Sequence, residues 1–351
     1  MLNSYTWNLY LRAGGHDVVE MFKRNMNEHM TEEYPNEIER MRSVYSVIKR
    51  IVKADASGAG SVIDRYKRFV DPPKSIWYDV DDEIIFPGET LDEIYKHIGG
   101  VPTTKLQKFN QNIAFLSTFL TIEHPDRYVP YYFSKNYNVL EKIANEFGIG
   151  LPEIPLKENY KERFFHYEGI CKVLLSFMED NGLSPYELYA FLYDFAPNYI
   201  GGTESYYHKE LPDPHAAYLI GIGAGYQRMF EKDFNFFYRC NKDAKAGDMI
   251  VMYLYTPFNE INYIGRVRTD CFIDPFDDYY HVTYMSFEER IEPFTLDMLR
   301  SDSEFNNLRC LRYKMRGVNG TELQAPQYNH LLEKSGAQAK RLAERVDLNK
   351  Q

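Results

Sequence analysis

The chain has 351 residues, of which 44% are hydrophobic and 16% aromatic, and a formal charge of −10. That composition excludes a chain dominated by disorder, and the length has room for two or three domains. The negative balance argues against strong nonspecific binding to a phosphate backbone, while leaving room for a small basic pocket.

Thirty tyrosines stand out. Tyr buries its ring and keeps its hydroxyl wet, which suits contact surfaces and half-buried cores alike. Charge is uneven along the chain. From Ser205 onward there are 19 Lys+Arg and 21 Asp+Glu, so a net of −8 falls on the part before it. The N-terminus carries Asn3, Trp7 and Asn8 in place of a basic segment followed by an apolar one, so no secretory leader is expected. No apolar run reaches transmembrane length. Cys171, Cys240, Cys271 and Cys310 are far apart and form no CxxC pair, which speaks against structural zinc and a disulfide framework. The expectation is a cytoplasmic protein without membrane contact.

In chain order, residues 5–26 have apolar positions near helical spacing, interrupted by Gly14-Gly15, and predict two short helices or one broken helix. Residues 37–52 form a cleaner amphipathic pattern. A small hairpin is expected over 75–86, with Asp81-Asp82 at its turn. Thr90 and Glu93 have capping-box spacing. Residues 105–121 predict one helix whose apolar end, 113–120, is buried. Helices follow over 136–147 and 158–178. Ser184-Pro185-Tyr186-Glu187 starts another that runs to Phe195 and stops at Ala196-Pro197. Residues 1–200 are therefore read as a mainly helical domain and 201–214 as a linker.

Short apolar runs rich in Ile, Val and Tyr begin after His215. YLIGI (218–222), MIVMYLY (249–255) after the turn Gly247-Asp248, and YIGRV (263–267) read as strands. Residues 279–291 and 307–315 are also expected as strands, Thr295 as the N-cap of a short helix, and 324–332 as a helix. Residues 335–351 read as a polar, helix-prone tail, either frayed or a connection to something absent.

This C-terminal order resembles the EVE branch of the PUA-like domains, relatives of the YTH readers. It consists of an apolar strand, an aromatic segment, AGDMIVMY (246–253), YIGRV, a long strand, a short helix after PFTL (293–296), LRCLRYKMRG (308–317) and QAPQYNHLL (324–332). The resemblance implies an α+β chain: a helical N-terminal region followed by a PUA-like, EVE-type mixed β-barrel over 215–334 with an aromatic pocket for a modified base. Pockets of that family commonly use Trp. The tryptophans here are Trp7 and Trp77, so Tyr or Phe must form the wall. IAFLSTFLTIEHPDRYVPYY (113–132) and LSPYELYAFLYDFAPNYI (183–200) resemble helical segments that precede the motor in McrB-like restriction proteins. That similarity implies ATPase or GTPase and nuclease partners, and the chain itself lacks GxxxxGK[ST].

A flipped base needs flat faces for stacking and polar groups for its edge. The stacking candidates are Tyr226, Phe236, Phe237, Tyr238, Tyr253 and Tyr255, and the resemblance favours Tyr253 and Tyr226. Alternation puts Tyr253 and Tyr255 on one face, so both are pocket or both are core. Asn241 can donate to and accept from a base edge, and a turn role explains it equally well. Arg239, Lys242 and Lys245 form one basic group. Arg309, Arg312, Lys314 and Arg316 form a second, suited to phosphates. Asp248 follows a turn glycine and reads as structural. There is no GxSxG and no HExxH, and the carboxylate pairs lie in acidic stretches, so neither catalysis nor a cofactor is expected. The sequence reading is a non-catalytic reader of nucleic acid, with a protein-interaction scaffold as the alternative and a hydrolase ranked last.

Overall fold

The structure, a computed structural model, describes residues 1–27, 37–52, 89–98, 103–201, 210–223, 235–315 and 318–343. The hairpin expected over 75–86 lies outside them. The chain divides into two compact units. One is Met1–Thr203 together with Asp274–Tyr280, and the other is Glu204–Ile273 together with His281–Gln351.

The first unit is helical. Asn3 caps α1 (Ser4–Tyr10), and a π-helical turn over Leu11–Gly15 leads into α2 (His16–Asn27). Gly14 has φ +118° there, a value that suits glycine, so the expected break is real. The amphipathic pattern becomes α3 (Glu37–Val52), and Thr90–Glu93 closes the start of α4 (Leu91–Ile98) at 2.7 Å.

The single helix expected over 105–121 is two, α5 (Thr103–Gln111) and α6 (Ile113–Glu123). Asn112 leaves helical geometry between them, and its side chain bonds back to the Lys108 carbonyl at 2.9 Å. Every residue from Ile113 to Thr121 is buried. The hydroxyls of Thr118 and Thr121 bond carbonyls one turn back, at 2.9 and 2.7 Å, which lets them sit in an apolar environment.

Next come α7 (Tyr137–Phe147), α8 (Tyr160–Asp180) and α9 (Pro185–Ala190), the last with a complete Ser184–Glu187 capping box. The expected stop at Ala196-Pro197 does not occur. A π-helical turn, Phe191–Phe195, continues into α10 (Ala196–Tyr199), and Pro197 is tolerated because it falls in that helix's first turn.

Buried tyrosines hold the extended segment between α6 and α7. The Tyr167 hydroxyl donates to the Val129 carbonyl at 2.8 Å, and the Tyr193 hydroxyl bonds the Pro130 carbonyl and accepts from the Tyr132 amide. An irregular backbone inside a core needs such partners, which accounts for part of the tyrosine content.

The second unit is a seven-stranded mixed sheet curled into half a barrel. Its strands are β1 (Ala217–Ile222), β2 (Asn235–Arg239), β3 (Met249–Leu254), β4 (Glu260–Val267), β5 (Phe272–Ile273), β6 (His281–Thr295) and β7 (Asn319–Leu323), in the order β2-β6-β4-β3-β1-β7 with β5 on β6. Among the described residues, β1 and β3 are the one parallel pair. Both are buried along their whole length, as their unbroken apolar runs require.

Asp248 is structural as read. Its carboxylate accepts from the amides of His215 and Ala216 at 3.1 Å and of Lys245 at 2.8 Å. Gly247 has φ +97°, and a Cβ there would lie 2.5 Å from the Pro212 carbonyl. Thr295 caps α11 (Leu296–Ser301) as expected.

The strand expected over 307–315 is instead a helical turn, α12 (Arg309–Arg312). Leu308, Cys310, Leu311 and Met315 are the buried positions, a spacing no strand provides. The strand of that region is β7, whose polar Asn319, Thr321 and Glu322 hid it. α13 (Ala325–Ser335) follows. The part of the tail up to residue 343 is tied down rather than frayed. Leu342 is buried, its amide and carbonyl pair with the Asn329 side chain at 3.0 and 2.9 Å, and the Lys340 carbonyl accepts from Tyr328.

Candidate functional site

Four of the residues selected from sequence meet at the end of β1. The Gly221 carbonyl accepts from the Tyr238 hydroxyl at 2.9 Å and from the Arg239 guanidinium at 3.1 Å. Tyr255, just past β3, lies against the same glycine, so close that a Cβ at position 221 would meet its hydroxyl at 2.1 Å. The Tyr253 ring packs edge-on to Tyr255, with centroids 5.6 Å apart. An isolated glycine inside YLIGI was the sequence signal for this close approach.

These residues do not share one environment. Tyr253 is 1% exposed and belongs to the core formed with Leu219, Val251, Ile261 and Phe294. Phe236 and Tyr238 are also buried, their rings 6.1 Å apart. Tyr255 and Arg239 are half-buried. Burial raises the Tyr255 pKa, and the charge of Arg239 nearby works against that rise. Phe237 points to the other face, beside Phe272 and Tyr284. Tyr226 lies outside the described residues.

Asn241 takes the turn role. Its amide donates to the Gly320 carbonyl at 2.9 Å, and its side-chain oxygen accepts from the Asp243 amide at 3.0 Å. The basic group around it is partly neutralised, because Lys242 pairs with Asp243 and Lys245 with Asp270 on the surface. Of the three, Arg239 is the one bonded to the Gly221 carbonyl.

The second basic group reaches the site through Tyr255, whose hydroxyl donates to the Met315 carbonyl at 3.0 Å. Met315 and Lys314 both hold positive φ, and the Met315 amide bonds back to the Cys310 carbonyl of α12. That turn presents Arg309, Arg312 and Lys314 to solvent together with Tyr313, which is 58% exposed and was not singled out from sequence. Neither Arg309 nor Arg312 makes an ion pair among the described residues. Its place between Arg312 and Lys314 was the signal for Tyr313. The alternation reading of a strand placed it on the opposite face and hid it.

Among the described residues no group of three or more His, Cys, Asp or Glu could hold a metal ion, and no helix is long and apolar enough to cross a membrane. The cysteines are free. Burial pushes the Cys171 thiol up to about 12 and the Cys271 thiol up to about 11, which keeps both as unreactive thiols at neutral pH.

No family model matches the chain, and no curated protein matches it. Two solved structures are similar to part of it. The NMR structure of Rpa0253 from Rhodopseudomonas palustris is 13% identical, covering 36% of this chain and 96% of its own, with a TM-score of 0.30. The crystal structure of Atu2648 from Agrobacterium tumefaciens is 12% identical, covering 36% of this chain and 98% of its own, again with a TM-score of 0.30.

Proposed function

We propose that the protein is a non-catalytic reader of nucleic acid that recognises a modified base in DNA and serves as the specificity part of a McrB-like restriction system. In this reading the half-barrel is an EVE-type, PUA-like domain, an ATPase or GTPase, either joined to this chain or a separate subunit, supplies movement, and a separate nuclease supplies cutting. The observation that carries it is the joining of the two sequence-selected groups at Gly221. Arg239 and Tyr255 are half-buried there, and the Tyr255 hydroxyl ties in the turn bearing Arg309 and Arg312. A half-buried ring beside a guanidinium offers stacking and a donor to a base, and exposed arginines offer phosphate contacts.

Binding by the full chain and its variants tests this. Arg309→Ala/Arg312→Ala is expected to weaken binding to every duplex alike and to flatten the salt dependence by about one unit of slope per lost phosphate contact. Arg239→Ala is expected to remove discrimination between modified and unmodified duplex. Unchanged binding in both variants would contradict the reading.

A second reading is a scaffold for an ATPase or nuclease partner without base recognition. The burial of Phe236, Tyr238 and Tyr253 favours it, because rings committed to the core are not free to stack on a base.

A further inference from the structure

The chain leaves the sheet after Ile273 and returns to it at His281, and the segment between, Asp274–Tyr280, belongs to the helical unit. Buried polar groups hold it there. Arg163 of α8 is 1% exposed and donates to the carbonyls of Pro275 and Asp277 at 2.8 Å each and of Lys157 at 3.1 Å. The Phe276 ring lies 4.9 Å from Tyr131 and 5.9 Å from His166. The Tyr280 hydroxyl donates to the Pro155 carbonyl at 2.8 Å. Asp274, also buried, stitches the segment to the turn before α7: one carboxyl oxygen accepts from the Lys135 amide at 2.6 Å and the other from the Phe276 amide at 3.0 Å.

We propose that Asp274 is a proton-operated latch, whose protonation tightens the hold of the helical unit on segment 274–280 and whose ionisation loosens it. The surroundings set the direction. On its own segment the charge of Asp277 acts on it, and from the elements packed around it Tyr131 of the extended segment, Tyr137 of α7 and Arg163 of α8 interact with it. One step further out, Lys135 and Asp278 act on Asp277, Glu141 acts on Tyr131 and Tyr137, and His166 lies against Phe276. Arg163 is the cation nearest in kind to a counter-ion, but its donors are directed at three carbonyls. No cation forms an ion pair with Asp274 among the described residues. The Tyr131 hydroxyl is buried with no hydrogen-bond partner among the described residues, so it gives the anion no support. Burial, and then the charge of Asp277, push Asp274 up to about 7, against the pull of the amides it accepts from. A neutral carboxyl keeps lone pairs for both amides and carries no charge to desolvate.

The segment therefore binds this proton more tightly closed than open. Its hold is complete below the ordinary aspartate value, falls as pH rises, and has lost this contribution once pH passes about 7. Hydrogen exchange of the full chain, read on peptides covering 274–280 and corrected for intrinsic rates, tests the latch. The opening constant is expected to rise more than tenfold from about pH 5.5 to about pH 7.5. In Asp274→Asn, neutral at both pH values, it is expected to stay flat. A flat wild type, or an equally steep Asp274→Asn, overturns the proposal. If that variant fails to fold, carbon-13 carboxyl spectra of the wild type and of Asp277→Asn decide. An aspartate titrating near neutrality in both supports the latch, and all aspartates titrating below about pH 5 overturns it.

Discussion

Gly221 is the residue on which the candidate site turns. Its missing Cβ lets Tyr255 approach, and its carbonyl accepts from Tyr238 and Arg239. Gly221→Ala is expected to cost about 1–3 kcal/mol by overpacking, and Tyr255→Ala in the same chain is expected to recover part of that loss. Urea unfolding of the two single variants and the double variant measures the coupling. Tyr253→Ala is expected to lower stability by about 3–5 kcal/mol, the range for emptying a large buried ring, while Tyr253→Phe stays close to wild type. A stable Tyr253→Ala that loses only nucleic-acid binding would return that ring to the pocket. At this scale the sequence was a fair guide to Asp248, because a turn glycine followed by Asp announces backbone capping locally. It could not separate Tyr253 from Tyr255: alternation places both on one face, and only the packing of distant Ile261 and Phe294 assigns one to the core.

Elements announced by their own caps were legible. Thr90, Ser184 and Thr295 each start a helix as read, since capping needs only residues within one turn. Ser184→Ala is expected to cost about 1 kcal/mol, measured as a lower midpoint in thermal or urea unfolding; no change would mean that α9 is held by packing alone. The misread elements depended on partners far along the chain. β7 is polar on its outer face and exists because β1 offers it an edge. The residues of α12 fit an alternating pattern too, and burial of Leu308, Cys310, Leu311 and Met315 chose the helical turn. Asn112 split a continuous apolar pattern through a side-chain bond that hydrophobic periodicity does not register.

For the whole molecule, two buried groups of the helical unit titrate in opposite senses. Burial pushes His166 down to about 4, so its contribution is complete above the ordinary histidine value and is lost as pH falls through about 4. The wild type is expected to lose up to about 3 kcal/mol from this group between about pH 6.5 and pH 4, and His166→Gln is expected to flatten that limb of the stability profile. Asp274 acts the other way over the same range, so removing either group exposes the slope of the other. The division into a helical part and a sheet part was legible from where β-favouring runs begin. The membership of Asp274–Tyr280 in the helical unit was not, because nothing local marks a loop between strands as belonging elsewhere. The most direct test of the reader itself is binding of the full chain to matched duplexes at two salt concentrations, one unmodified and others carrying methylated or hydroxymethylated cytosine or methylated adenine. The account predicts preference for one modification that persists at the higher salt. Equal, weak and salt-sensitive binding to every duplex would contradict it.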